Sequence, residues 1–105
     1  MYDKYLITGA TGFLGRTVVE ELVDHDAQVR TLVLHNDPYI NLLQKEVHII
    51  VGDVCDKNSL ADFFADADSR TCVIHCAGIV SVASRPGPKL YQVNVGGTWR
   101  ILRQC

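Results

Sequence analysis

A doubly wound α/β fold, with a parallel sheet in the strand order 3-2-1-4 and helices on both faces, is the architecture this sequence predicts. Three observations carry it. Apolar runs of strand length alternate with helical patterns from end to end, the runs are apolar without a polar alternation, and a glycine-rich turn joins the first run to the first helix. Right-handed crossovers then make the first strand central with the fourth beside it. The winding reverses between these two, so a ligand is expected over their carboxyl ends.

The first strand is Tyr5-Leu6-Ile7, and Leu14, Val18 and Leu22 recur every four residues in the helix after it. Between them lies Thr8-Gly9-Ala10-Thr11-Gly12-Phe13-Leu14-Gly15. Gly9 permits a tight turn, Gly12 lets the main chain approach a phosphate, and Gly15 allows close packing of helix on strand. N–H groups and partial positive charge at the helix start suit a pyrophosphate, so dinucleotide binding is the leading expectation. Val29 to Leu34 is the second strand, Tyr39 to Lys45 a short helix, and Val47 to Val51 the third strand. Asp56 caps a helix whose Leu60, Phe63, Phe64 and Ala67 fall at i, i+3, i+4 and i+7. Thr71 to Ala77 is the fourth strand. A Ser-, Gly- and Pro-rich loop over 78–89 follows, and Leu90 to Arg103 resumes a helical pattern.

One domain is expected from 105 residues, and 48% apolar with 21% charged residues is an ordinary globular composition. A net charge of −2 without a basic cluster gives no footprint for nucleic acid. No apolar stretch approaches the roughly 20 residues of a membrane span, and a cytoplasmic location follows by default. Of the four cysteines, Cys55, Cys72, Cys76 and Cys105, the middle two share one strand. Residues four apart on a strand are about 13 Å apart, too far for a disulfide, so free thiols are expected. No Cys-x-x-Cys pair points to a metal.

Four segments together resemble the short-chain dehydrogenase/reductase superfamily, in its extended branch of nucleotide-sugar epimerases, dehydratases and dihydroflavonol-type reductases. They are the glycine motif, Gly52-Asp53-Val54-Cys55-Asp56, His75-Cys76-Ala77-Gly78, and Asn94-Val95-Gly96-Gly97-Thr98. The resemblance covers essentially the whole chain and implies a Rossmann-type fold holding NAD or NADP. It implies cofactor contacts from Gly9, Thr11, Gly12, Phe13, Leu14 and Gly15, adenine recognition by the Asp53 side chain and the Val54 amide, and a place beside the nicotinamide ribose for Cys76, Ala77 and Gly78. Asn94 takes a supporting role near the active site or simply pins the fourth strand to the last helix. Asp53 has an alternative as a turn cap, His75 reads as a packed strand residue, Trp99 as core or interface, and His25 and His48 as surface or turn residues.

Two departures from the family pattern matter. The second strand ends in Val33-Leu34-His35-Asn36-Asp37, with neither the acidic residue expected for NAD nor the Arg expected for NADP in its place. His35 and Asn36 suit either form, and the choice of cofactor stays open. The family's catalytic Tyr-x-x-x-Lys is absent, since Tyr2, Tyr5, Tyr39 and Tyr91 have no Lys four positions on. The chain is therefore expected to be the N-terminal, cofactor-binding part of a longer protein, truncated after the fourth helix and without its substrate part. The implied parent transfers hydride at a hydroxyl or carbonyl carbon of a small substrate, and Ile79-Val80-Ser81 leans towards reductase or hydroxysteroid-dehydrogenase-like members. The alternative is a non-catalytic NAD(P)-dependent redox sensor or scaffold on the same fold. Truncation would also leave the fourth strand as an open edge, so self-association through that strand or the last helix, near Trp99, is expected.

Overall fold

The computed structural model describes residues 2–77 and 92–105, with the side chains of residues 92 and 93 left out. Strands β1 (Lys4–Thr8), β2 (Gln28–Val33), β3 (His48–Val51) and β4 (Thr71–His75) form one sheet in the order β3-β2-β1-β4. Every pairing is parallel. Tyr5 lies opposite Val29 on one side and Cys72 on the other, and Thr8 lies opposite Thr31's successor Leu32 and opposite His75. Helices α1 (Phe13–Asp24), α2 (Lys57–Phe63) and α3 (Thr98–Gln104) cover the sheet, with a π-helical turn over Gln92–Gly97 leading into α3.

Successive residues of a strand point to opposite faces, and β1 feeds two separate cores in this way. Tyr5 and Ile7 join Val19 of α1 with Val29, Val33, Leu43 and Val47. Leu6 joins Leu32, Val54, Leu60, Phe63 and Ile101 under α2 and α3. A central strand buried on both faces must be apolar throughout, which accounts for the unbroken Tyr5-Leu6-Ile7 run.

Four local expectations are corrected. Tyr39 to Lys45 is no α-helix, only a 3-10 turn at Ile40–Leu42, because Leu43 swings to extended backbone (φ −76°, ψ 145°) to reach the core. One turn with so few anchors does not nucleate a helix. The buried stripe of α1 runs through Gly15 and Val19 rather than Leu14, which is 64% exposed beside the helix start. Asp56 does cap α2, accepting from the Asn58 N–H at 3.0 Å. The helix nevertheless stops at Phe63, short of Ala67, where Arg30 of β2 donates to the carbonyls of Phe63 and Ala65 and Asp66 takes a left-handed φ of 64°. Strand β4 ends at His75, two residues before Ala77. The expectations for Gly78, for the loop at 79–89 and for the helix start at Leu90 lie outside the described residues.

Candidate dinucleotide site

The site is built at the top of β1. Gly9 has φ +69°, and a Cβ there would meet Cys76 C at 2.5 Å and Ala77 N at 2.6 Å, so the turn is seated directly on the backbone leaving β4. Only glycine satisfies both the left-handed φ and that contact. A Cβ on Gly15 would lie 1.9 Å from Gly9 O, which places the first turn of α1 against the glycine turn itself. The expected contact of Gly15 with the strand is thus made one step higher, on Gly9 and Ala10.

Gly12 is different. A Cβ there would meet only Gly9 O, at 3.4 Å, so the space over it is open. It is also the N-cap of α1, in extended conformation and with no side-chain cap, and the Arg16 N–H is the first to bond back, to Gly12 O at 2.9 Å. The amides of Phe13, Leu14 and Gly15 precede that bond and have no helical acceptor. An uncapped helix start under an open glycine fits a pyrophosphate group by shape and by partial charge. Phe13, 86% exposed, and Leu14 flank the opening.

The other expected residues fall into three places. Cys76 and Ala77 form the wall against Gly9, their N–H groups both bonding the Thr8 hydroxyl at 3.1 Å. Asp53 and Val54 follow β3 on the same carboxyl-end side of the sheet, but two strands away from β1. The Asp53 carboxylate accepts from the Cys55 N–H at 2.9 Å, which is the turn-capping arrangement, and the Val54 side chain is buried in the second core. Asn94 lies in the π-helical turn, where its main-chain carbonyl accepts from the Thr98 hydroxyl at 2.8 Å.

Two features escaped sequence reasoning. Thr11 does not hold its hydroxyl out to a ligand, because it donates to Asp37 Oδ2 at 2.5 Å while Asp37 Oδ1 accepts from the Tyr39 N–H at 2.9 Å. A carboxylate thus stands beside the glycine turn at the end of β2, four residues past the position where the family pattern puts one. The other feature is His75, whose ring bridges Thr8 of β1 and Thr98 of α3. Burial lowers its pKa below the ordinary 6.5. None of the four cysteines is in a disulfide. Among the described residues, no helix is long and apolar enough to cross a membrane, and no cluster of His, Cys, Asp and Glu has the makings of a metal site.

Comparisons with known proteins agree with this geometry. The chain is 36% identical to human 3 beta-hydroxysteroid dehydrogenase type 7 over 96% of its length, covering 28% of that protein. It is 32% identical to a putative dihydroflavonol 4-reductase of Synechocystis over 97% of its length, covering 29% of the relative. The chain therefore spans about three tenths of the curated relatives it matches. Among solved structures, Thermus thermophilus UDP-glucose 4-epimerase in complex with NAD superposes with a TM-score of 0.83 at 29% identity, over 97% of this chain and 33% of the epimerase. A short-chain dehydrogenase/reductase superfamily protein of Agrobacterium tumefaciens with bound NAD gives a TM-score of 0.78 at 28% identity, over 96% of this chain and 28% of that one. With the NAD dependent epimerase/dehydratase family model matching residues 5–105, the chain belongs to that family and corresponds to its N-terminal dinucleotide-binding region.

Proposed function

We propose that this chain is the NAD-binding part of an oxidoreductase of the extended short-chain dehydrogenase type. The single observation that carries the reading is the uncapped start of α1 beneath the open face of Gly12, seated by Gly9 and Gly15. A bound nicotinamide would supply the hydride acceptor or donor. The chain's own residues grip and orient: the amides of residues 13–15 hold the diphosphate, Cys76 and Ala77 wall the nicotinamide side, and Asp53 and Val54 border the adenine. The hydroxysteroid dehydrogenase and dihydroflavonol reductase among the relatives support a carbonyl or hydroxyl substrate over a nucleotide sugar. With no Tyr-x-x-x-Lys in its sequence, this chain alone is expected to bind cofactor without turning over substrate. Four cysteines outside any disulfide suit a reducing, cytoplasmic setting.

Asp37 supports NAD over NADP. Its carboxylate stands at the end of β2, on the side where an adenosine ribose is held in this fold, and it opposes the added charge of a 2′-phosphate. One like-charge contact near a protein surface costs about 1–3 kcal/mol, on the order of tenfold to a hundredfold in affinity. Titration with NADH and NADPH, followed by nicotinamide fluorescence, is expected to show NADH binding at least about tenfold more tightly. Asp37→Asn should narrow the gap to a few-fold. Equal binding of both by the unmutated chain removes the NAD assignment, and binding of neither at millimolar levels removes the functional reading.

Strand β4 lies at the edge of the sheet, and α3 beside it exposes Trp99 (57%) and Leu102 (66%), with the Arg103 guanidinium 4.9 Å from the Trp99 ring. These features support self-association of two chains through the β4 and α3 side. Light scattering at high concentration should report a species larger than the 11.6 kDa chain. A clean monomer contradicts the proposal.

A further inference from the structure

We propose that His75 is a positioning residue of the dinucleotide cradle, locked as the neutral Nε2–H tautomer between Thr8 and Thr98, and that protonating it loosens the Ala77 amide beneath the glycine turn. The assignment follows from counting hydrogens along one chain of bonds. The single hydroxyl hydrogen of Thr98 goes to Asn94 O, at 2.8 Å. Towards His75 Nε2, 2.9 Å away, Thr98 Oγ1 can therefore only accept, so Nε2 carries the proton. Nδ1 is then bare and accepts from the Thr8 hydroxyl, at 2.5 Å. The two lone pairs of Thr8 Oγ1 are left for the N–H groups of Cys76 and Ala77, each at 3.1 Å. The Cys76 N–H is shared with the Thr8 carbonyl, also at 3.1 Å, so the Ala77 N–H is the one that depends on the hydroxyl. Apart from that shared N–H, each hydrogen in this relay goes to one acceptor, from α3 through β4 and β1 to the peptide under Gly9.

A second proton on the ring breaks this arrangement. Nδ1–H then points at an oxygen whose lone pairs are taken and whose own hydrogen has lost its acceptor. Thr8 must rotate, and the Ala77 amide loses its partner. Thr8 is fully buried, so water does not replace the bond at low cost. Among the described residues, the groups bonded to the ring are uncharged: the Thr8 hydroxyl from β1 and the Thr98 hydroxyl from α3. The titratable groups on the neighbouring described stretches are the Cys72 thiol of β4, the Cys76 thiol just after it and Arg100 of α3, whose guanidinium folds back over Gly96. Among the described residues no charge is set to hold an imidazolium, and burial favours the neutral ring. Neutral His75 thus stabilises the cradle at and above the ordinary pKa, and that contribution falls away as the pH drops from 6.5 towards the lowered value.

The consequence for the cofactor rests on the function proposed above, whereas the relay itself is testable without any cofactor. Nitrogen-15 NMR of the labelled chain between about pH 5 and pH 8, spanning the ordinary imidazole pKa, should show a protonated Nε2 and a bare Nδ1 for His75 at the upper end. The imidazole should titrate below 6.5, and the Ala77 amide should shift with the same midpoint. Thr98→Val, which removes the acceptor of Nε2–H, should weaken the tautomer bias, and Thr98→Ser should restore it. NADH affinity should weaken several-fold as the pH falls across the same interval in the unmutated chain and lose that dependence in His75→Gln, which has no imidazole to titrate. A dominant Nδ1–H tautomer, a midpoint at or above 6.5, or an Ala77 amide indifferent to the imidazole overturns the proposal. If NADH binds at no pH, the functional reading falls while the shared midpoint of His75 and Ala77 still decides this one.

Discussion

Gly15→Ala is expected to eliminate dinucleotide binding and to lower the melting temperature by about 10 °C or more. The added methyl would sit 1.9 Å from Gly9 O, 2.7 Å from Gly9 C and 3.1 Å from the Ala10 Cα. All three are main-chain atoms, so no rotamer change relieves the contact and α1 must move away from the turn. Overpacking of this kind costs about 1–3 kcal/mol, and more when only backbone can give. In a domain of this size each kcal/mol is worth about 4–8 °C. Moving α1 also carries its first-turn amides away from the point on which they converge, so affinity is lost with stability. Gly12→Ala separates the two effects. Its methyl meets only Gly9 O, at the ordinary distance of 3.4 Å, and the exchange at the N-cap costs about 1 kcal/mol or less. The same methyl stands over the uncapped helix start, in the space a diphosphate would take. The expected outcome is a folded Gly12→Ala chain that binds NADH at least tenfold more weakly, on the order of 1.4 kcal/mol. Unaltered binding by this variant means that the diphosphate does not lie over Gly12, and a Gly15→Ala chain as stable as the parent means that the helix is free to shift.

What was legible in the sequence is what depends on neighbours along the chain. The glycine turn, the Asp56 cap and the four apolar runs each declare themselves within a few residues, and chirality of the crossovers then leads to the order 3-2-1-4. What was hidden depends on tertiary encounters. Thr11 and Asp37 are 26 residues apart, Thr8 and His75 are 67 apart, and the bridge from His75 to Thr98 spans 23. Each of these residues was visible inside a motif or a strand end, but no periodicity announces which hydroxyl a buried imidazole will meet. The end of α2 was misjudged for the same reason: Phe64 and Ala67 continue the helical spacing, and it is Arg30, from another strand, that takes up the carbonyls and ends the helix. Propensity is a weak guide wherever a long side chain from elsewhere can compete for backbone groups.

That junction between Arg30 and α2 is where the second large effect is expected. Phe63 is fully buried among Leu6, Leu32, Val54, Leu60 and Ile101, and stacks edge-on against Phe64 with ring centroids 5.4 Å apart. Phe63→Ala should destabilise the chain by about 3–5 kcal/mol, since the strands of a parallel sheet have little freedom to close the cavity. Small domains hold only about 5–15 kcal/mol in total, so a large part of the population is expected to unfold on mild warming. Arg30→Met tests the polar half of the junction. The guanidinium is buried, meets no carboxylate among the described residues and relies on the Phe63 and Ala65 carbonyls, at 3.1 and 2.6 Å, with His48 Nδ1 at 3.4 Å. Met keeps most of the volume and removes the donors, at a cost of about 1–3 kcal/mol for the carbonyls left without a partner. The two substitutions release the same turn of α2, so the double variant should lose less than the sum of the singles, by about 0.5 kcal/mol or more in urea melts. Strict additivity would mean that Arg30 holds the loop after α2 and not the helix end itself, and the helix would then owe its termination to Asp66 alone.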